Sequence, residues 1–274
     1  MKEITTTKLP LTQSIQRAVK AEWLQLKYDK VGHIILMVTV VGAVAWSVGL
    51  SALLAGYSSE DANPSERAAV SGVFQLAILG LFFWVARNLL REESTKFVQL
   101  KLLSLPSRPV IWAAKWLCLV VVGACVMLAA TVLSSGATLG TVALVGRDWH
   151  QFVGDSAGSY VILAGNTILI SVVTVSFAVA VSIVANNLSA AVTVLVAWIL
   201  VVEGMIDGSD PSTKFFYSLL PFKNATRLFE QADPAKFLWG EPVSILYSLS
   251  VTIALAAFVI FFNKGKIDRT GRVK

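Results

Sequence analysis

The chain predicts an all-α polytopic membrane protein, with six transmembrane helices behind an N-terminal interfacial amphipathic helix and both termini cytosolic. Three observations predict it. The 274 residues are 55% hydrophobic and 15% charged, with a mean hydropathy of +0.70, which is far from a soluble composition. Six apolar runs reach membrane length, since about 20 helical residues rising about 1.5 Å each cross a hydrocarbon core about 30 Å thick. Charge is also distributed unevenly. With the N-terminus inside, 17 of the 23 Lys and Arg fall on the inner segments 1–31, 87–115 and 264–274, and the outer loops carry six of them beside ten carboxylates. This positive-inside bias fixes the orientation and accounts for the net charge of +6 without any nucleic-acid partner.

Residues 1–31 form an N-terminal segment. Within it Leu11, Ile15, Val19, Trp23 and Leu26 recur at helical spacing, with Gln16, Arg17, Lys20 and Lys27 on other faces. This pattern predicts a helix lying on the inner membrane surface, its Lys and Arg toward anionic headgroups and Trp23 and Tyr28 in the aromatic belt. Residues 32–274 then read as one six-helix domain, with spans near 33–56, 68–88, 110–134, 160–185, 188–206 and 242–263. The first span is too long for a signal-peptide core and follows 31 mostly polar residues, so it is expected to remain in place.

The connections follow from composition. Residues 57–67 make a short outer link. In span three, Cys118 and Cys125 lie about 10.5 Å apart along the helix, beyond the roughly 4.4 to 6.8 Å of a disulfide, and read as packing residues. Gly136 and Gly140 at its end form a GxxxG spacing, expected to mark close helix packing or a broken helix end. Asn186 and Asn187 split the next apolar stretch into spans four and five by an interfacial turn. The outer loop of about 207–241 contains Pro211, Pro221 and Pro234 with Phe215, Phe216, Tyr217, Leu219 and Leu220. So many aromatics predict a small ordered cap of one or two short helices at the outer surface. Trp84, Trp112 and Trp116 extend the inner aromatic belt, and Trp149, Tyr160, Tyr217 and Trp239 suggest the outer one.

Catalytic and metal chemistry has few candidates. His33 and His150 fall on opposite sides of the membrane, and neither HExxH, GxSxG nor a metal-spaced cysteine cluster occurs. The pair Glu92-Glu93 invites comparison with the EExxxR of intramembrane CAAX-type proteases, but Phe97 stands where the arginine is needed and no later span carries a histidine. No catalytic or metal-ligating residues are therefore assigned. An intramembrane enzyme of another type, or a membrane sensor or assembly subunit, is the alternative reading. A phosphate loop is also missing, so any ATP-driven work requires another chain. Glu203 is the one carboxylate inside a predicted span. With Gln75 and Asn166, each about 10 Å in from the outer end of its span, it suggests polar groups facing an outward-opening substrate path. Interhelical hydrogen bonding in a packed bundle explains the same residues equally well.

The segment at 87–109 carries the most specific pattern. It is charged, with Arg87, Arg91, Lys96, Lys101 and Arg108 around Glu92 and Glu93, and it continues as Glu93-Ser94-Thr95, then Leu102-Leu103-Ser104-Leu105-Pro106-Ser107-Arg108, then Lys115. This order resembles the inner loop of the six-helix permeases of ABC type-2 exporters, with Ser94 in place of the usual glycine before Thr95. The resemblance implies a coupling segment in which Arg91, Glu92, Glu93, Ser94, Thr95, Lys96, Phe97 and Leu100 contact an ATPase subunit. Phe97, Leu100 and Leu103 would anchor it, inside a charged rim. It further implies two ATPase subunits holding ATP and Mg, with no cofactor on this chain. A second permease, identical or similar, is implied as well, in the plasma membrane of a prokaryote and exporting a hydrophobic or amphipathic compound. The Asn224-Ala225-Thr226 sequon falls in the outer loop.

Overall fold

A computed structural model describes residues 11–57, 66–94, 108–144, 157–185, 187–206, 209–230 and 236–270, and every long regular element among them is helical. Helix α1 (Leu11–Tyr28) is separated from α2 (Lys30–Tyr57) by Asp29 alone, and α3 spans Glu66–Ser94. Helices α4 (Arg108–Leu144) and α5 (Ala157–Ala185) follow, and α6 (Leu188–Ala197) runs directly into a π-helical segment, Trp198–Glu203. The short helices α7 (Pro211–Leu219) and α8 (Pro221–Glu230) precede α9 (Glu241–Thr270). Among the described residues, stretches of α2, α4, α5 and α9 are long and apolar enough to cross a membrane. The architecture is therefore an all-helical, multi-pass membrane fold.

Local chemistry explains several boundaries. Asp29 interrupts the helix, yet its carbonyl accepts the His33 N–H at 3.0 Å and so starts α2. Asn187 is extended, and its Oδ1 accepts the Ser189 N–H at 2.9 Å to cap α6, which is the turn expected at the Asn186-Asn187 pair; Asn186 lies outside the described residues. Pro211 and Pro221 open α7 and α8, where a missing N–H costs nothing.

Burial ranks the helices. The most apolar window of α5 is 61% buried within the chain, against 28% for α2 and 22% for α9, so α5 is central and the other two are peripheral. The core joins Leu81, Phe82 and Val85 of α3 to Leu119 and Met127 of α4, Ile170 and Val173 of α5, and Leu195 of α6. The outward faces of α2 and α9, including Ile34, Met37, Val41 and Ile253, remain apolar and exposed, as lipid requires.

Close packing occurs where side chains are small, though not at the expected glycines. Ala43, Ser47 and Ser51 of α2 face Ala130, Ser134 and Thr138 of α4. Ser47 and Thr138 hydroxyls are 2.6 Å apart, Ser51 donates to Thr138 at 3.2 Å, and Ser47 also reaches the Ser134 carbonyl at 3.3 Å. By contrast a Cβ on Gly136 or Gly140 would meet nothing within 4 Å, and α4 continues unbroken through both to Leu144. Glycines that do permit close contact are Gly80 of α3, where a Cβ would collide with Thr39 of α2, and Gly123 of α4, where it would press on Val175 and Ser171 of α5.

Two further placements differ from expectation. Trp84 and Trp112 are 2% and 7% exposed, and Trp116 donates its indole N–H to Ser176 of α5 at 3.0 Å, so these rings face protein where an interfacial belt was expected. Helix α1 leans on α4 through Ala18 against Ile111 and Ala114, leaving Ile15, Trp23 and Tyr28 exposed. Of the expected apolar stripe, Val19 joins this contact and Leu26 packs against the main core.

Candidate functional site

The first cluster of interest forms where α1 and α2 join. Asp29 accepts two hydrogen bonds from Arg87 of α3, at 2.6 and 3.2 Å, and one from Arg91 at 3.1 Å. The Asp29 side chain is 7% exposed and Arg87 14%, whereas Arg91 is 60% exposed. Burial works against the Asp29 charge. The hydrogen bond from Arg87, the Gly32 backbone N–H and the two guanidinium charges outweigh it, and hold the carboxyl below its ordinary value of 3.8. Gly32 is required for this geometry, since a Cβ there would strike the Asp29 carboxylate. The planar, two-pronged Arg87 fork fits a carboxylate better than a lysine would. The result fastens the α1–α2 joint to α3 one turn before the segment beginning at Glu92.

Of the residues expected to contact an ATPase, Arg91 is placed in full, and it is the outer member of this cluster. Glu92, Glu93 and Ser94 form the last turn of α3, with side chains outside the described residues. Thr95, Lys96, Phe97 and Leu100 also lie outside the described residues. Asp29 escaped the sequence reading. The available signal was a lone acid between Lys27 and Lys30, at the point where two helical patterns abut.

The polar residues assigned to a substrate path face different neighbours. Asn166 of α5 is 6% exposed, and its amide Nδ2 finds no hydrogen-bond partner among the described residues. It lines a groove of about 560 Å³ with Leu169 and Val172 of α5 and Ile245 and Leu249 of α9. An orphaned donor in an apolar groove costs about 1–3 kcal/mol and is suited to a ligand bearing an acceptor. Gln75 belongs to α3, with its side chain outside the described residues.

Glu203 is occupied instead by protein. Its Oε1 accepts the Trp198 indole N–H at 3.0 Å and the Phe222 N–H at 3.2 Å, and its Oε2 accepts the Lys223 N–H at 3.1 Å. Hydrogen bonding from i to i+5 in the π-segment brings Trp198 and Glu203 onto one side, which an α-turn would not. The carboxylate thus caps α8 from another helical segment, satisfying first-turn donors that have no partner within α8 itself.

This cap lets α8 enter the bundle. Phe222 packs edge-on against Phe82 of α3 and Phe177 of α5, with ring centroids 5.8 and 5.6 Å away. The two short helices expected at 207–241 are present, but α8 is inserted among α3, α5 and α9 and does not merely cover them. Asn224 completes the arrangement. Its Nδ2 donates to the Ser218 and Leu220 carbonyls at 2.7 and 2.8 Å, and its Oδ1 accepts the Trp239 indole N–H at 3.1 Å. At 1% exposure the sequon asparagine is sealed inside the fold.

Among the described residues, no group of three or more His, Cys, Asp or Glu gathers as a metal site. No protein-family model matches the chain, and no curated protein matches it.

Proposed function

We propose that this chain is the transmembrane permease subunit of an ATP-driven ABC exporter, moving a hydrophobic or amphipathic compound such as a drug, an antimicrobial peptide or a lipid-like molecule. In this reading α3 and the α6–π segment are two further spans. That makes six, with both termini cytosolic and α1 on the inner surface of a prokaryotic plasma membrane. Two separate ATPase subunits supply hydrolysis, and a second permease, identical or similar, completes the path.

One observation carries the reading: α3 is continuous from Glu66 to Ser94, and Asp29 ties its end to the α1–α2 joint. The segment whose sequence resembles a coupling helix thus begins on the last turn of α3, a helix packed into the core. A push on that segment would move α3 as a lever and carry α1 and α2 with it through Asp29, shifting the bundle between two discrete packings. The Asn166 groove, with its orphaned amide, is the best candidate for contact with an amphipathic substrate.

The test is assembly. Glu92→Lys with Glu93→Lys should reduce co-purification of the ATPase encoded nearest this gene by at least tenfold, while the permease still reaches the membrane. Undiminished assembly and transport would remove the coupling role. Asn166→Ala should lower export of the cognate compound without lowering expression.

A further inference from the structure

A cavity of about 320 Å³ opens where α1 meets the bundle, at the level of the first two turns of α2. We propose that it holds the phosphate and the first acyl carbons of an anionic phospholipid. The proposal rests on this end of α2 lying at the headgroup level of a membrane, and not on the chain transporting anything.

The lining follows the vertical order of a phospholipid. Exposed Lys27 of α1 and His33 of α2 supply cationic or N–H donor groups at the mouth. Trp23, 49% exposed, presents the indole chemistry favoured at glycerol and carbonyl depth, and the buried Trp84 closes the side facing the bundle. Leu36 and Val122 make an apolar floor that continues into the core. A phosphate beside Lys27 would ordinarily be repelled by Asp29, two residues away. Here both Asp29 oxygens are engaged by Arg87 and Arg91, so the positive charge of this corner is left in excess.

The floor decides between a lipid and a soluble phosphate. A free anion gains from Lys27 and His33 but nothing from Leu36 and Val122. A lipid gains from both, through charge at the surface and burial of its first methylenes. The volume suits a headgroup with the start of one chain.

Native mass spectrometry of protein released from mixed phosphatidylglycerol and phosphatidylcholine nanodiscs tests the assignment. The wild type should retain one phosphatidylglycerol. The variant Lys27→Gln with His33→Gln should retain at least tenfold less, because both residues are exposed and their loss leaves the fold intact. Val122→Phe, which fills the floor, should also reduce retention, with helicity by circular dichroism as the control for folding. Equal retention by the folded variants would overturn the proposal, as would equal retention of phosphatidylcholine. Displacement by millimolar glycerol phosphate would overturn it too, since the site would then be one for a soluble anion.

Discussion

Two buried carboxylates secure this bundle, and they are satisfied by different chemistry. Asp29 is held by two guanidinium groups, Glu203 by one indole and two backbone N–H groups. The first arrangement is an ion pair beside the α1–α2 joint. The second is a helix cap, in which partial charges at the α8 N-terminus replace a cation. The Asp29 pair joins side chains, each able to turn about its own bonds. A cap made of backbone N–H groups cannot shift without unwinding α8. Asp29 is thus a side-chain tether between helices, and Glu203 an anchor fixed to backbone.

The largest effect is expected for Asp29→Ala. It strands the buried Arg87 guanidinium, and removing one partner of a buried pair costs about 3–5 kcal/mol. Thermal unfolding of detergent-solubilised protein should record the loss, and Arg91→Ala should cost below about 1 kcal/mol because that partner is mostly solvated. Equal effects from the two would show that Arg87 is not the main partner.

Glu203→Ala comes next, at about 2–3 kcal/mol, since it leaves buried donors unpaired. Glu203→Gln should cost roughly half of that. One amide oxygen can still take Trp198 and Phe222, while the NH2 group opposes the Lys223 N–H. A Gln variant as damaged as the Ala variant would mean that charge, and not acceptor geometry, sustains the cap.

Acid sharpens the contrast further. The Asp29 carboxyl is depressed below 3.8, so its contribution is complete above that value and is lost only as pH falls through the lower folded value. Stability of the wild type should therefore fall more steeply below about pH 4 than that of Asp29→Asn. Parallel acid curves would remove the ion pair from the account.

The smallest effect belongs to the α2–α4 seam. Ser47→Ala should cost about 0.6 kcal/mol, typical of a hydrogen bond between membrane helices. Replacing Gly136 by Ala should cost nothing, because a Cβ there has open space, and helix propensity should favour it by up to about 0.5–1 kcal/mol.

Much of the helical layout was legible in the sequence, because apolar length and charge asymmetry are local properties. The turn at Asn187 and the proline starts of α7 and α8 were equally readable, since capping is decided within a few residues. The packing seam was misread. GxxxG is only a spacing, and the same small-residue spacing at Ala130, Ser134 and Thr138 found the partner face on α2. Trp84 and Trp112 were assigned to the inner aromatic belt by residue type, but both are buried. For the candidate site, Arg91 and Asn166 were identified as polar residues, whereas Asp29 and the orphaned amide of Asn166 emerged only from the assembled bundle.

The sequence by itself determined a multi-pass helical membrane chain and the turn at Asn187, because solvent transfer and capping act along a single segment. Only the tertiary structure decided that α5 is central, that α8 enters the bundle under Glu203, and that Asp29 couples three helices. Those outcomes depend on which side chains meet across segments more than fifty residues apart in the case of Asp29 and Arg87, and no local pattern contains that information.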